Sequence, residues 1–311
     1  MRKLLLAIAV LIAAAWPAGC TSRQGDQEKA EFNVATYNIR QLNNGDRKAG
    51  NGWERRYPII ASLVRFHDFD IFGTQEGFKS QLEDLKGELG DYDYIGIGRE
   101  DGDTAGEHSA IFYRTDLFEV VDKGDFWLSE TPDRPGLGWD AACPRICSWG
   151  RFKHLPSGKE FLMFNLHLDH VGKQARIESA KLVMAMIDSI GIDCPAFVTG
   201  DFNVDQTHES YRTFTGSGKL EDSYLTAKQV YALNGTFNAY YTDGFSESRI
   251  DHIFVTPGVK VEKYGVLTDT YRSRDNDSIM DAPYGPDEID IVHYRSRTPS
   301  DHFPVKIRVE I

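Results

Sequence analysis

The sequence predicts an α/β fold built from a mixed sheet, or from two packed sheets, with helices on the outside. Short apolar runs bounded by turn residues recur from residue 31 onward, and many have the length and pattern of strands. A few longer segments repeat apolar residues at the helical period. Strands and helices interleave without strict βαβ alternation. Of the 311 residues, 41% are hydrophobic and 26% are charged, which excludes disordered, coiled-coil and collagen-like chains.

The amino-terminal residues have the pattern of an export signal. Arg2 and Lys3 precede an apolar segment from Leu4 to Trp16, and the Ala18-Gly19-Cys20 sequence that follows resembles a bacterial lipobox. We expect a signal peptide over residues 1–19, a lipidated Cys20 with a tether over residues 20–30, and one domain over residues 31–311. The chain would then be an exported, membrane-anchored lipoprotein facing the periplasm or the cell surface, and a monomer. Plain secretion is the alternative.

The apolar runs that we interpret as strands follow one another through the whole domain. In chain order they include Phe32–Ile39, Ile71–Thr74, Tyr94–Ile97, Ala110–Tyr113, Ile146–His154, Glu160–Leu168, Ala196–Thr199, Ile250–Val255 and Val305–Val309. Pro156 and Gly158 stand between two of these runs. Because both residues favour turns, the segment from His154 to Lys159 predicts a hairpin.

Fewer segments have the helical period. They are Trp53–Phe66, Lys79–Leu89 and Val171–Ile190. The segment from Asp269 to Pro299 has neither period, and its many acidic and proline residues predict a long polar loop. Such a loop is either a solvated insertion or a lid that selects the substrate.

Charge and cysteine content narrow the classes of function. The formal net charge is −12, whereas proteins that hold nucleic acid through its phosphates are usually basic. Cys143, Cys147 and Cys194 remain if Cys20 carries lipid. The sequence allows either a disulfide between Cys143 and Cys147 or a set of buried free thiols. Three cysteines without nearby histidines make a poor zinc site.

Polar residues recur where the apolar strands end or begin. They are Asn38, Gln75 and Glu76, His167 with Asp169 and His170, Asp201 and Asn203, Asp251 and His252, and Asp301 and His302. A single residue of this kind is usually a turn or a cap. The whole set supplies carboxylates, carboxamides and imidazoles, which suit a hard cation and the activation of water.

The short motifs around these residues resemble the endonuclease/exonuclease/phosphatase family, which includes deoxyribonuclease I. The motifs are Thr-Tyr-Asn38-Ile, Thr-Gln-Glu76-Gly, Asn165-Leu-His167-Leu-Asp169-His170, Gly200-Asp201-Phe-Asn203, Arg249-Ile-Asp251-His-Ile-Phe and Ser300-Asp301-His302-Phe-Pro-Val. They stand in the family's order along residues 33 to 309. The resemblance implies a four-layer α/β/β/α sandwich: two packed, pseudo-symmetric mixed sheets with outer helices and a site at one end.

The resemblance also implies a divalent-metal site. Glu76 would be the principal carboxylate ligand, helped by Asn38 and Asp301. Oxygen ligands favour Mg²⁺, with Mn²⁺ or Ca²⁺ as alternatives.

Five residues receive catalytic roles from the same resemblance. Asp201 would orient or deprotonate the attacking water, and Asn203 would bind a phosphate oxygen. Asp251 and His302 would form a carboxylate–imidazole pair, and His167 would be a second imidazole facing the phosphate. A cationic imidazole and amide donors lower the barrier because phosphate-ester hydrolysis builds negative charge on oxygen.

Other residues are weaker candidates for substrate binding. Arg99, Glu107 and His108 lie in a segment that resembles a loop entering the family's site, and an exposed loop is the alternative. Arg145 could bind phosphate or form a structural ion pair. Asn238 could line the site or make a turn. At least one of Asp169 and His170 is expected to serve a turn or a helix cap.

These observations favour a metal-dependent phosphoesterase that hydrolyses phosphodiesters or phosphomonoesters with an activated water. An exported nuclease acting on DNA or RNA is the alternative, and a basic groove would favour it. A sphingomyelinase-like lipid phosphodiesterase is a third hypothesis, which exposed aromatic residues around the site would favour. A non-catalytic binding module is the last, since every motif residue is present.

Overall fold

The computed structural model describes residues 29–191, 194–280, 284–286 and 288–311. The predicted signal peptide, Cys20 and most of the predicted tether lie outside the described residues. Within those residues, none of the helices combines the length and the apolar character that crossing a membrane requires.

The described chain forms the following elements. The helices are α1 Asn44–Lys48, α2 Trp53–Phe66, α3 Lys79–Leu89, α4 Lys173–Ile190, α5 Glu209–Thr215 and α6 Ser223–Thr226. The strands are β1 Glu31–Asn38, β2 Ile71–Gln75, β3 Gly77–Phe78, β4 Tyr92–Ile95, β5 Glu107–His108, β6 Ile111–Arg114, β7 Phe118–Trp127, β8 Ile146–His154, β9 Glu160–His167, β10 Ala196–Asp201, β11 Glu221–Asp222, β12 Gln229–Tyr231, β13 Asp251–Val255, β14 Lys260–Val266, β15 Tyr271–Met280, β16 Ile291–Arg297 and β17 Val305–Glu310.

Two large sheets form the centre of the fold. The first has the order β12-β14-β17-β1-β2-β6-β4, and the second has the order β11-β13-β10-β9-β8-β7. One apolar cluster, which includes Phe32, Phe161 and Phe197, fills the space between the sheets. A second cluster packs the second sheet on α4 and α5, and a third packs the first sheet on α2 and α3. The predicted four-layer α/β/β/α sandwich is therefore confirmed.

The two sheets repeat the same local arrangement of strands. In the first sheet β1 runs parallel to β2 and antiparallel to β17. In the second sheet β10 runs parallel to β9 and antiparallel to β13. The carboxyl ends of the parallel strands and the amino ends of β13 and β17 consequently meet at one end of the sandwich. The polar residues that follow or precede these strands are brought together there.

A polar bridge joins the two sheets beneath this end. The Asn165 amide on β9 donates to the carbonyls of Thr74 at 2.9 Å and Ala110 at 3.0 Å. Its Oδ1 accepts from Gln75 Nε2 at 2.7 Å and from Thr199 Oγ1 at 3.1 Å. All four bonds are buried, so they fix the distance between the sheets where the candidate residues emerge.

A buried arginine holds the chain segments that leave the first sheet. Arg56 of α2 donates to the carbonyls of Ile39 at 2.8 Å, Pro299 at 3.0 Å and Arg40 at 3.1 Å. The residues after β1 and those before β17 are thus attached to one guanidinium. This attachment restricts the two segments that carry Asn38 and Asp301.

One predicted element is wrong. The polar loop predicted over residues 269–299 is replaced, in the described residues, by an antiparallel pair of β15 and β16, with Tyr271 opposite Arg297. The residues of β16 are exposed or half-buried, so its side chains lack the apolar alternation that reveals a half-buried strand. Pro283 and Asp287, on which the loop prediction partly depended, lie outside the described residues. The disulfide between Cys143 and Cys147 that the sequence left open is not formed, and both residues are free thiols.

Candidate functional site

A cavity of about 350 Å³ opens at the end of the sandwich where the polar strand ends meet. It is lined by Arg40, Gln41, Glu76, Arg99, Glu107, Cys143, Arg145, His167, His170, Asp201, Asn203, Phe237, Asp301 and His302. Most of the predicted site residues are in this set. Asp251 lies directly beneath it, and Asn38 lies between its carboxylates.

Two carboxylates on one side of the cavity face a common point. The Arg40 guanidinium lies 3.8 Å from Glu76 Oε2 and 3.5 Å from Asp301 Oδ2. Burial, reinforced by the negative charge of Glu76, raises the pKa of Asp301, although His302 and Arg40 oppose the shift. Concentrated negative charge on oxygen donors fits a hard divalent cation such as Mg²⁺. Glu76 and Asp301 are therefore the residues that would hold it.

Asn38 connects this pair to the rest of the site. Its amide donates to Glu76 Oε1 and to Asp201 Oδ2, each at 3.0 Å. Its Oδ1 accepts from the backbone N–H of Arg40 at 3.0 Å. Because that bond occupies the oxygen, Asn38 orients the carboxylates here, and its role as a metal ligand stays a prediction.

Asp251 and His302 form the expected carboxylate–imidazole pair. His302 Nδ1 lies 2.9 Å from Asp251 Oδ2, and His302 Nε2 lies 3.7 Å from Asp201 Oδ2. Burial lowers the pKa of His302, but the two aspartates outweigh it and raise the pKa to about 10. His302 is therefore an imidazolium at neutral pH. Although these three residues could share a metal ion, the imidazolium already supplies a positive charge there.

Asp201 is the carboxylate placed to act on water. It is buried, and burial together with the negative charge of Asp251 raises its pKa. The backbone N–H of Asn203 donates to Asp201 Oδ1 at 2.9 Å and leaves Oδ2 toward the two imidazoles. A carboxylate with a raised pKa accepts a proton from water more readily than an ordinary one.

His167 differs from His302 in charge. Its Nε2 lies 3.0 Å from the Asn203 amide nitrogen, which can only donate, so this ring nitrogen accepts. Burial, with the positive charges of Arg145 and Arg99, holds the pKa of His167 well below its ordinary value. His167 is thus a neutral imidazole beside Asp201, at 3.5 Å.

The far wall of the cavity contains two arginines, and each is paired with an acid. Arg99 NH1 lies 2.6 Å from Glu107 Oε2. Arg145 Nε lies 3.3 Å from Asp169 Oδ2. Arg145 is buried, and its pair with Asp169 is the structural ion pair that the sequence left open as an alternative. Both arginines line the cavity, and their binding to substrate stays a prediction.

A second group of possible metal ligands lies at the rim, where Cys143, Asp169 and His170 approach one another. Arg145 donates to both Asp169 and His170, at 3.3 and 3.0 Å. These hydrogen bonds occupy the carboxylate oxygen and the ring nitrogen that a cation would need, so the three residues fit a metal poorly. Asp169 Oδ1 also accepts from the N–H groups of Val171 and Gly172, which confirms the turn expected at this position.

Asn238 does not reach the cavity wall. Its Oδ1 accepts from the backbone N–H of Tyr240 at 2.7 Å and from Thr298 Oγ1 at 3.2 Å. This is the turn alternative that the sequence left open.

Sequence reasoning did not single out Arg40, Gln41, Cys143 or Phe237, although all four line the cavity. The one available signal was that Arg40 and Gln41 follow Asn38 almost directly. Arg40, Glu76 and Asn203 have positive φ angles of 57°, 66° and 50°. This conformation is strained for residues other than glycine, and such strain tends to concentrate at functional sites.

Comparisons with known proteins agree with this geometry. The profile of the Endonuclease/Exonuclease/phosphatase family matches residues 35–302. The crystal structure of a family protein from Bacteroides thetaiotaomicron is 56% identical, with a TM-score of 0.85, covering 91% of this chain and 99% of that one. A mannosyl-6-phosphatase from B. thetaiotaomicron VPI-5482 is 57% identical, with a TM-score of 0.83, covering 89% and 99%. The human nocturnin catalytic domain shares the fold, at 17% identity and a TM-score of 0.60, covering 91% and 96%.

Proposed function

The chain belongs to the endonuclease/exonuclease/phosphatase family, whose members hydrolyse phosphoester bonds, and we propose that it is a Mg²⁺-dependent phosphomonoesterase acting on a sugar phosphate of the mannose 6-phosphate type. The observation that carries the substrate is the 57% identity, over 99% of its length, to a protein described as a mannosyl-6-phosphatase. The cavity of about 350 Å³ suits a substrate of this size.

The residues of the cavity divide the reaction between them. Asp201, with its raised pKa, accepts a proton from the attacking water. The His302 imidazolium donates to a non-bridging phosphate oxygen and offsets the charge that develops there. Asp251 keeps the His302 ring charged and correctly oriented from below, at 2.9 Å. The Asn203 amide donates to His167 Nε2 at 3.0 Å and to the Leu168 carbonyl at 2.9 Å, so its bond to a second phosphate oxygen would replace one of these.

The metal adds to these groups. Bound at Glu76 and Asp301, Mg²⁺ would supply Lewis-acid stabilisation of phosphate oxygen charge.

The arginines of the cavity weigh against the nuclease alternative. Arg40, Arg99 and Arg145 each lie beside a carboxylate, of Asp46, Glu107 and Asp169 respectively. Such pairs do not create the uncompensated positive groove that a polyanionic strand requires. Among the described lining residues, Phe237 is the one phenylalanine, tyrosine or tryptophan. A lipid substrate would be favoured by several exposed aromatic side chains around the cavity, so this lining argues against it.

The proposal is tested by phosphate release from the purified chain lacking residues 1–20. Mannose 6-phosphate, bis-p-nitrophenyl phosphate and single-stranded DNA and RNA are offered with Mg²⁺ or with EDTA, alongside Asp201→Ala. We expect Mg²⁺-dependent turnover of mannose 6-phosphate that Asp201→Ala abolishes. Faster hydrolysis of the diester or of nucleic acid would contradict the monoesterase and favour the nuclease. Metal-independent release, equal in the folded variant, would contradict the catalytic assignment altogether.

A further inference from the structure

We propose that His170 is a specificity-determining residue whose Nε2–H donates a hydrogen bond to a hydroxyl of the sugar, so that sugar phosphates are preferred over other phosphomonoesters. This inference rests on the proposed function and extends it from the phosphate to the alcohol part of the ester. It concerns the rim of the cavity, beyond the groups that surround the phosphate.

A buried carboxylate begins the network that positions His170. Asp169 Oδ1 accepts from the backbone N–H groups of Val171 at 2.9 Å and Gly172 at 2.7 Å, and Oδ2 accepts from that of Ala142 at 3.1 Å. Although burial alone would raise it, these donors lower the pKa of Asp169 to about 2. The carboxylate is therefore charged at neutral pH and fixed in place by three backbone donors.

The buried guanidinium of Arg145 links the Asp169 carboxylate to the His170 ring. Arg145 Nε lies 3.3 Å from Asp169 Oδ2, and the Arg145 side chain is 4% exposed. Its NH2 lies 3.0 Å from His170 Nδ1. Arginine nitrogens only donate, so Nδ1 must be the acceptor. The ring proton of His170 is consequently carried by Nε2.

His170 thus offers the cavity a neutral, oriented donor. His170 is exposed and lines the cavity, whereas Arg145, which donates to its Nδ1, is buried. The phosphate end already contains the His302 imidazolium and the Asn203 amide, and the charge of Arg145 is offset by Asp169. A neutral donor at the rim suits a hydroxyl group better than a dianion.

The position along the chain agrees with this division. His167 ends β9 and faces Asp201, whereas His170 follows three residues later, beyond the end of the strand. The two imidazoles of one motif therefore serve different parts of the substrate.

The test compares two substrates that share the phosphate and differ in the alcohol. Turnover of mannose 6-phosphate and of p-nitrophenyl phosphate is measured with Mg²⁺ for the unaltered protein, His170→Ala and His170→Gln. Loss of one neutral hydrogen bond predicts a fall in kcat/KM of about 3- to 10-fold on mannose 6-phosphate, mostly through KM. Turnover of p-nitrophenyl phosphate should be unchanged. His170→Gln retains an N–H donor and should recover part of the loss.

Val171→Ala is the matched control, because the exposed Val171 side chain does not line the cavity and the substitution keeps the backbone N–H that donates to Asp169. It should leave both substrates unaffected. An equal fall on both substrates in His170→Ala would overturn the proposal, since it would indicate a contact with phosphate or a structural role. The proposal would also be overturned if His170→Ala left kcat/KM unchanged on both substrates. Failure of the unaltered protein to turn over either substrate would instead contradict the proposed function.

Discussion

The buried histidine on β13 makes stability depend on pH in a way that can be calculated. His252 is surrounded by Phe202, Tyr211 and Phe254, with ring centroids 5.3 to 5.5 Å away. Its Nε2 lies 3.1 Å from the carbonyl of Val204, so that nitrogen carries the proton, and its buried Nδ1 has no protein partner. Burial is the main cause that lowers its pKa from 6.5 to about 4.

The direction of the effect follows from where the proton binds. Below pH 6.5 the unfolded chain protonates this histidine, whereas the folded chain keeps it neutral down to about pH 4. The stability associated with the neutral ring is therefore complete above pH 6.5 and is lost as the pH falls toward 4. At about 1.4 kcal/mol per pKa unit, the total loss is about 3 kcal/mol, of which about 2 kcal/mol is lost by pH 5.

The measurement is the free energy of unfolding in urea at pH 7.5 and pH 5, for the unaltered protein and for His252→Phe. Between pH 7.5 and pH 5, the free energy of unfolding of His252→Phe should rise by about 2 kcal/mol relative to that of the unaltered protein. His252→Leu repeats the test if phenylalanine overfills the site. A difference for His252→Phe and His252→Leu that is independent of pH would refute the reasoning.

Three further changes test other parts of the structure. Asp251→Asn removes the charge beneath His302, so kcat should fall by about 10²- to 10³-fold in steady-state assays while calorimetry shows unchanged Mg²⁺ affinity. Glu76→Gln should weaken Mg²⁺ binding by about tenfold or more in the same calorimetric titration, because a charged oxygen ligand is lost. Gly73→Ala places a Cβ 2.2 Å from Asn165 Oδ1, so the free energy of unfolding in urea should fall by about 2–4 kcal/mol.

Elements with one buried face could be predicted from the sequence. The helix Trp53–Phe66 and the strand Ile146–His154 have the predicted bounds, because one side of each contacts the core and imposes a period. The hairpin of β15 and β16 has no such face, and its polar composition was taken for a loop. β7 was not among the predicted strands for a similar reason, since its middle is charged and exposed.

The candidate site divides in the same way. Glu76, Asp201 and His302 stand in short motifs at strand ends, so a sequence pattern could identify them. Phe237 and Cys143 reach the same cavity from separate loops, and a pattern along the chain contains no information about such proximity. The charge difference between His302 and His167 also needed the structure, because it arises from neighbours distant in the sequence.

The direction of β1 has a consequence for any surface to which the chain is attached. The described chain enters β1 at Ala30, whose backbone pairs with Ile311 at the far end of the sandwich from the cavity. Eight residues of strand, about 26 Å, separate that entry from Asn38. If Cys20 is lipidated, the attachment enters the domain at the end opposite the cavity mouth, so a substrate can reach the mouth from the side away from the attachment.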